Sequence, residues 1–148
     1  MFTEDELAKL VGQELPAGTY RIDPVESLML TSVVHGEPTQ TPHPIYAFVA
    51  AQTGIGISVG ELLASFGTVP EDGPMLGECE LTTSVPFVAG IDYTVTGSVT
   101  SAIRKRGRVL GTFDLVTIEL QVHDPASTVI STCRETFVLP RREDPDHD

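Results

Sequence analysis

The sequence has no tryptophan, only two cysteines, and nine Lys and Arg residues against 21 Asp and Glu. A net charge of −12 at pH 7 argues against general nucleic-acid binding, because affinity for a phosphate backbone comes from cations displacing counterions. Cys79 and Cys133 have no C-x-x-C spacing and no His/Cys ligand cluster beside them along the chain, which leaves two free thiols and no metal motif as the expectation. Free thiols fit a reducing, cytoplasmic compartment. No apolar run approaches the ~20 residues of a membrane-spanning helix. No basic, apolar, small-residue leader opens the chain.

What is present reads as one folded domain. A hydrophobic content of 41% with 20% charged residues excludes a disordered or fibrous chain. A chain of 148 residues buries roughly 68–70% of its unfolded surface without a covalent staple. Residues 1–140 form that domain, and the acid-rich stretch 141–148 reads as a frayed tail.

The first half carries helix signals. Thr3 with Glu6 forms a capping box for a helix over 3–12. A brief extended piece at 19–22 precedes Asp23-Pro24-Val25-Glu26, where an Asp N-cap and Pro at the first helical position start a second helix ending near Val34. Val25, Leu28, Met29 and Val33 recur along it at helical spacing. Three prolines and a glycine make 35–44 (HGEPTQTPHP) a shaped loop. Ile45 to Thr53 is apolar on nearly all sides, which predicts a buried helix, with Ala47, Ala50 and Ala51 letting a sheet approach. Ser58 and Glu61 form a second capping box, before Leu62, Leu63 and Phe66.

From Met75 the period becomes two. One strand is expected at 76–85, then three long ones at 91–103, 109–122 and 128–139. Ile91, Tyr93, Val95, Val99 and Ile103 share one parity of the first long strand, Leu110, Val116, Ile118, Leu120 and Val122 that of the second, and Val129, Cys133, Phe137 and Leu139 that of the third. Arg106-Gly107 and Asp124-Pro125 supply the reversals. The architecture that follows is α+β, a long antiparallel sheet wrapped round a central buried helix. Its open edge calls for a second copy or a partner, giving a dimer or higher oligomer.

The run 41–66 (TPHPIYAFVAAQTGIGISVGELLASF), followed by Val85-Pro86-Phe87-Val88-Ala89-Gly90 and Tyr93-Thr94-Val95-Thr96-Gly97-Ser98-Val99, resembles the MaoC-like branch of the hotdog fold. The Pro-x-x-x-Gly lead-in to the strand at Ile91 is the most specific part, and the likeness extends over most of 19–140. The resemblance implies binding of acyl chains as coenzyme A or acyl-carrier-protein thioesters, with no separate cofactor. It also implies hydration of an enoyl thioester to a 3-hydroxyacyl thioester, or the reverse dehydration. The family's Gly-Asp-x-Asn-Pro-x-His signature is absent. The matching loop offers Gly36-Glu37 and His43, with Glu and His one position further apart and no Asn-Pro pair. Some enzymes of this type are hetero-oligomers in which a degenerate subunit shapes the acyl pocket beside a motif-bearing hotdog sister, and this chain looks like the degenerate one. A self-sufficient hydratase using Glu37 and His43, a stand-alone acyl-thioester binding protein, and a hotdog thioesterase remain as alternatives. The last lacks its expected helix acid, since 45–56 contains none.

The candidate catalytic residues are therefore His43 and Glu37, each with a plainer reading as a hydrogen-bonded loop histidine and a solvated loop carboxylate. Ile45 and Tyr46 stand where the buried helix starts, whose free N–H groups and dipole could polarise a thioester carbonyl; Tyr46 lines the acyl tunnel or packs. Arg104, Lys105, Arg106 and Arg108 form a basic turn suited to coenzyme A phosphates or an acidic carrier protein, extended by Arg141 and Arg142. The same turn also reads as a solvated edge.

Overall fold

The computed structural model describes residues 2–37 and 39–141. Helix α1 (Glu4–Ala8) starts at the expected capping box, with the Thr3 side chain accepting from the Glu6 N–H and Glu6 returning to the Thr3 N–H at 2.8 Å. It ends four residues short of Gly12, because that segment joins the sheet instead: Gly12 donates to the Val99 carbonyl and Val99 to that of Gln13. Strand β1 (Glu14–Arg21) follows, considerably longer than the extended piece expected at 19–22. Pro16 and Gly18 look like turn punctuation, yet they fall at a register shift between Leu15 and Gly18 on an edge strand, where a proline is tolerated.

Helix α2 (Pro24–Val33) has the predicted Asp23 cap, whose carboxylate accepts from Val25 and Glu26 N–H. Its packing is the reverse of the apolar pattern. Ser27 and Thr31 are buried, while Val25, Leu28, Met29 and Val33 are exposed. Helix α3 (Tyr46–Gly54) is the buried helix, with Ala50 and Ala51 fully covered, and it lies against all five strands. Helix α4 (Val59–Ser65) follows the Ser58 capping box and buries Leu62 and Leu63. A single 3-10 turn, Pro70–Asp72, leads into the remaining strands.

Strands β2 (Met75–Thr83), β3 (Asp92–Gly107), β4 (Gly111–His123) and β5 (Val129–Pro140) complete one antiparallel sheet of order β1-β3-β4-β5-β2. The expected parity holds for Tyr93, Val95 and Val99, and for Val116 through Val122. It fails at Ile103, which is exposed while Ala102 packs on the core. The register shifts between Val99 and Ser101, and one extra residue moves every later side chain to the other face. Leu110 lies in the turn, and Val129 is exposed beside buried Ile130 for the same kind of reason, a shift at Val122/His123. The turn at Asp124 is closed by its carboxylate, which accepts from Ala126 and Thr128 N–H.

Close approach of α3 to the sheet depends on glycine as well as alanine. A Cβ on Gly18 would collide with the Gly54 carbonyl, and one on Gly54 with Val95. Gly56 N–H meanwhile donates to the Pro16 carbonyl at 2.8 Å. Arg141, the first residue of the expected tail, is buried. Arg142 and the acidic stretch 142–148 lie outside the described residues. Among the described residues no single helix is long and apolar enough to cross a membrane.

With Ala50 and Ala51 at 0% exposure, overpacking there should cost about 1–3 kcal/mol per site. Ala50→Leu and Ala51→Leu should lower the thermal midpoint clearly. Thr100→Val, at an exposed position on β3, should leave it nearly unchanged. Equal melts for all three would mean that α3 is not enclosed.

Candidate functional site

The loop between α2 and α3 is built from local constraints. His35 takes a left-handed conformation at φ 57° and Gly36 N–H returns to the Thr31 carbonyl at 2.9 Å, ending α2. The Thr39 hydroxyl accepts from the Thr41 N–H at 3.0 Å. On the far side, Phe87 packs edge-on against Tyr93 with ring centroids 5.3 Å apart, and the Tyr93 hydroxyl accepts from Val88 N–H at 2.8 Å. Gly90, at φ 80°, donates to the Ile22 carbonyl. The Pro-x-x-x-Gly lead-in thus holds Pro86 and Phe87 opposite the loop. Between them lies a largely apolar cavity of about 440 Å³, lined by Thr31, Gly36, Glu37, His43, Pro86 and Phe87 among others. Its size falls within the usual range of small-molecule pockets.

Glu37 and His43 thus meet at one cavity. His43 is half-buried, and its Nδ1 accepts from the Ile45 N–H at 3.1 Å. A neutral ring held this way carries its proton on Nε2, so its free nitrogen is a donor. Glu37 is exposed at the cavity rim. The α3 terminus itself is not open: Ile45 N–H is taken by His43 Nδ1, Tyr46 N–H by the His43 carbonyl, Ala47 N–H by that of Pro44, and Phe48 N–H by that of Ile45. Tyr46 is buried, with its pKa raised chiefly by burial, and its hydroxyl lies near the buried Ser27 side chain of α2. Ile45 sits at the N-cap position, partly exposed.

The basic turn lies elsewhere. Arg104, Lys105 and Arg106 occupy the distal end of β3, more than ten residues beyond Tyr93, roughly 35–40 Å along the strand. Arg104 is committed to the fold. Its guanidinium makes two bonds to Asp114, at 2.8 and 3.0 Å, and one to the Phe2 carbonyl at 2.7 Å, and the bond to Asp114 raises its pKa. Arg141 joins the same carboxylate at 2.7 Å and also donates to the Gly67 and Phe66 carbonyls. Neither arginine belongs to an open phosphate patch, because Asp114 is fully buried and takes both. Lys105, Arg106 and Arg108 are exposed.

A second cluster escaped the sequence reading. Between α3, α4 and the β2/β5 edge lies a pocket of about 270 Å³ lined by Phe48, Gln52, Leu63, Met75, Glu135 and Phe137 among others. Glu135 is 1% exposed, accepts from Gln52 Nε2 at 2.7 Å, and has its pKa raised chiefly by burial. Cys133, fully buried, and exposed Cys79 are free thiols as expected. An available signal was parity: Glu135 and Asp114 stand in the apolar, inward-facing rows of their strands.

No family model matches the sequence, and no curated protein sequence matches it. Solved structures do. The chain superposes on the ChsH1-ChsH2 complex of Mycobacterium tuberculosis with a TM-score of 0.67 and 10% identity, covering 94% of this chain and 92% of that one. The HadBC (3R-hydroxyacyl-ACP dehydratase) complex of the same organism gives 0.65 and 10%, covering 87% and 96%. A MaoC-like dehydratase from Rhodospirillum rubrum gives 0.56 and 15%, covering 97% and 99%. The chain therefore has the hotdog fold, as expected.

The Asp114 pair of ion bridges generates a direct test. Removing the carboxylate strands two guanidinium groups, one of them only 3% exposed, and loss of one partner of a buried ion pair costs about 3–5 kcal/mol. Asp114→Ala should lower unfolding free energy in denaturant titrations by that amount, whereas Arg108→Ala should shift it by less than about 0.5 kcal/mol.

Proposed function

We propose that the chain is a subunit of an enoyl-thioester hydratase or 3-hydroxyacyl-thioester dehydratase, working in the cytoplasm as the partner that shapes the acyl pocket for a motif-bearing hotdog subunit. The observation that carries this reading is the apolar cavity closed by the 35–44 loop in front of α3, on a fold shared with the ChsH1-ChsH2 and HadBC complexes. Strand β2 supports the partner: it is exposed along its whole length at one end of the sheet order, and such an edge is a template for pairing. The substrate carrier would be coenzyme A or an acyl carrier protein, with no separate cofactor.

Hydration needs a base that takes a proton from water as its oxygen attacks the β-carbon. It also needs a donor at the thioester oxygen, where charge collects before a proton reaches the α-carbon. His43, with Nδ1 engaged by Ile45, suits the donor role only. Its Nε2–H can hold a thioester carbonyl in the cavity. The carboxylate of Glu37 lines the same cavity, and its exposed position is poor for excluding water. Binding and orientation are accordingly this chain's work, and the proton transfers belong to the sister subunit. The convergence of Glu37 and His43 on one cavity favours a second reading, a self-sufficient hydratase with these two as its dyad.

The two readings part in turnover assays with a short enoyl thioester. The purified chain alone should be at least ~100-fold slower than its complex with a motif-bearing hotdog chain, the scale of lost acid–base catalysis. In that complex His43→Ala should lower kcat by about 10²–10³-fold, because a donor to the oxygen that collects charge acts in the transition state. Robust turnover by the isolated chain, abolished by both His43→Ala and Glu37→Gln, would establish the second reading instead. Thioester binding with no turnover under any pairing would leave a stand-alone binding protein.

A further inference from the structure

We propose that Cys79, Cys133 and Glu135 form a binding site for a thiophilic divalent metal ion of the zinc class, with Gln52 orienting the carboxylate. The three ligands come from two neighbouring strands. In the β2/β5 ladder Cys79 stands opposite Glu135, and Leu81 opposite Cys133. All three side chains therefore share one face, as direct and diagonal neighbours. The sulfurs are 4.0 Å apart, Cys133 Sγ lies 3.7 Å from Glu135 Oε1, and the three ligand atoms all fall within 4.8 Å of one another. Metal–sulfur bonds of about 2.3 Å and metal–oxygen bonds of about 2.0–2.2 Å in a tetrahedron set sulfur–sulfur and sulfur–oxygen edges near 3.8 and 3.5 Å. The site needs only small adjustments to reach them. A disulfide, with a bond of about 2.05 Å, would need the sulfurs to close half their separation.

Glu135 supplies the independent observation. It is 1% exposed, and its Oε2 has no hydrogen-bond partner. The other deeply buried carboxylate in the sheet, Asp114, is held by two arginines. Burying an acid without a cation is costly, and Glu135 has Gln52 but no cation near it among the interactions of the described residues. A divalent ion would supply the missing charge. On binding, the two thiols release their protons to solvent, as does the carboxyl when protonated, and the resulting two thiolates and carboxylate leave one position for water. Gln52 Nε2, donating to Oε1 at 2.7 Å, is the kind of outer partner that fixes a metal-bound carboxylate. The ion would tie the exposed edge strand β2 to β5. The inference does not depend on the proposed enzymatic reading.

The test uses the untagged full chain, reduced, stripped with a chelator and then exposed to Zn²⁺. About one zinc per chain should survive gel filtration, with a rise in thermal midpoint. Co²⁺ in its place should show thiolate-to-metal charge-transfer absorption. Cys79→Ser, at an exposed edge position that tolerates change, should keep the fold by circular dichroism and lose the absorption and the thermal shift. Gln52→Leu should weaken affinity about 10–100-fold. Zinc retention unchanged in Cys79→Ser would overturn the site. Equally fatal would be no retention by protein whose thiols titrate as free, or a Cys79–Cys133 disulfide formed in place of metal binding.

Discussion

The enclosure of α3 by the sheet is the constraint on which the rest of the molecule depends. A helix touching all five strands can sit that close only if its sheet-facing residues are small, and Ala47, Ala50, Ala51 and Gly54 are. The same demand reaches outward. Gly18 must lack a side chain because the Gly54 carbonyl occupies the space, and so β1, despite its proline and register shift, is held to the sheet beside the helix. The bulge near Thr100 then turns the side chains of the distal half of β3 to the opposite face.

Two ends of the enclosed helix are chemically different places. At its N-terminus the 35–44 loop closes an apolar cavity, and the first-turn N–H groups are already bonded to His43, Pro44 and Ile45. Near its C-terminus Gln52 meets Glu135, whose carboxyl is buried with one oxygen unpartnered. The sheet buries two carboxyl groups in different ways. Asp114 is neutralised by Arg104 and Arg141, and closes the N-terminal segment, the post-α4 turn and the last strand into one corner. Among the described residues Glu135 has no such cation, and burial favours its neutral form.

Two surfaces are left open. Helix α2 buries Ser27 and Thr31 against the body and turns Val25, Leu28, Met29 and Val33 outward, while β2 is exposed along its length. The apolar face of α2 is costly to leave in water by the area rule, and the unpaired backbone of an edge strand is a template for pairing.

The sequence by itself determined what is local. The caps at Thr3, Asp23 and Ser58, the apolar helix after Pro44, the turn at Asp124 and the parity of the central strands each follow from residues within about four positions of one another. So does the shaped loop bearing Glu37 and His43. Tertiary structure alone decided what depends on distant partners. Strand β1 exists because β3 accepts it, and Ile103 faces outward because a single bulge reversed its row. Arg104 and Arg141 were drawn from a basic cluster into the core by Asp114, in Arg141's case across 27 positions, and onward to Gly67 across 74. Cys79 and Cys133 stand 54 positions apart in the chain yet 4.0 Å apart in space, since antiparallel pairing brings together residues that no linear spacing relates.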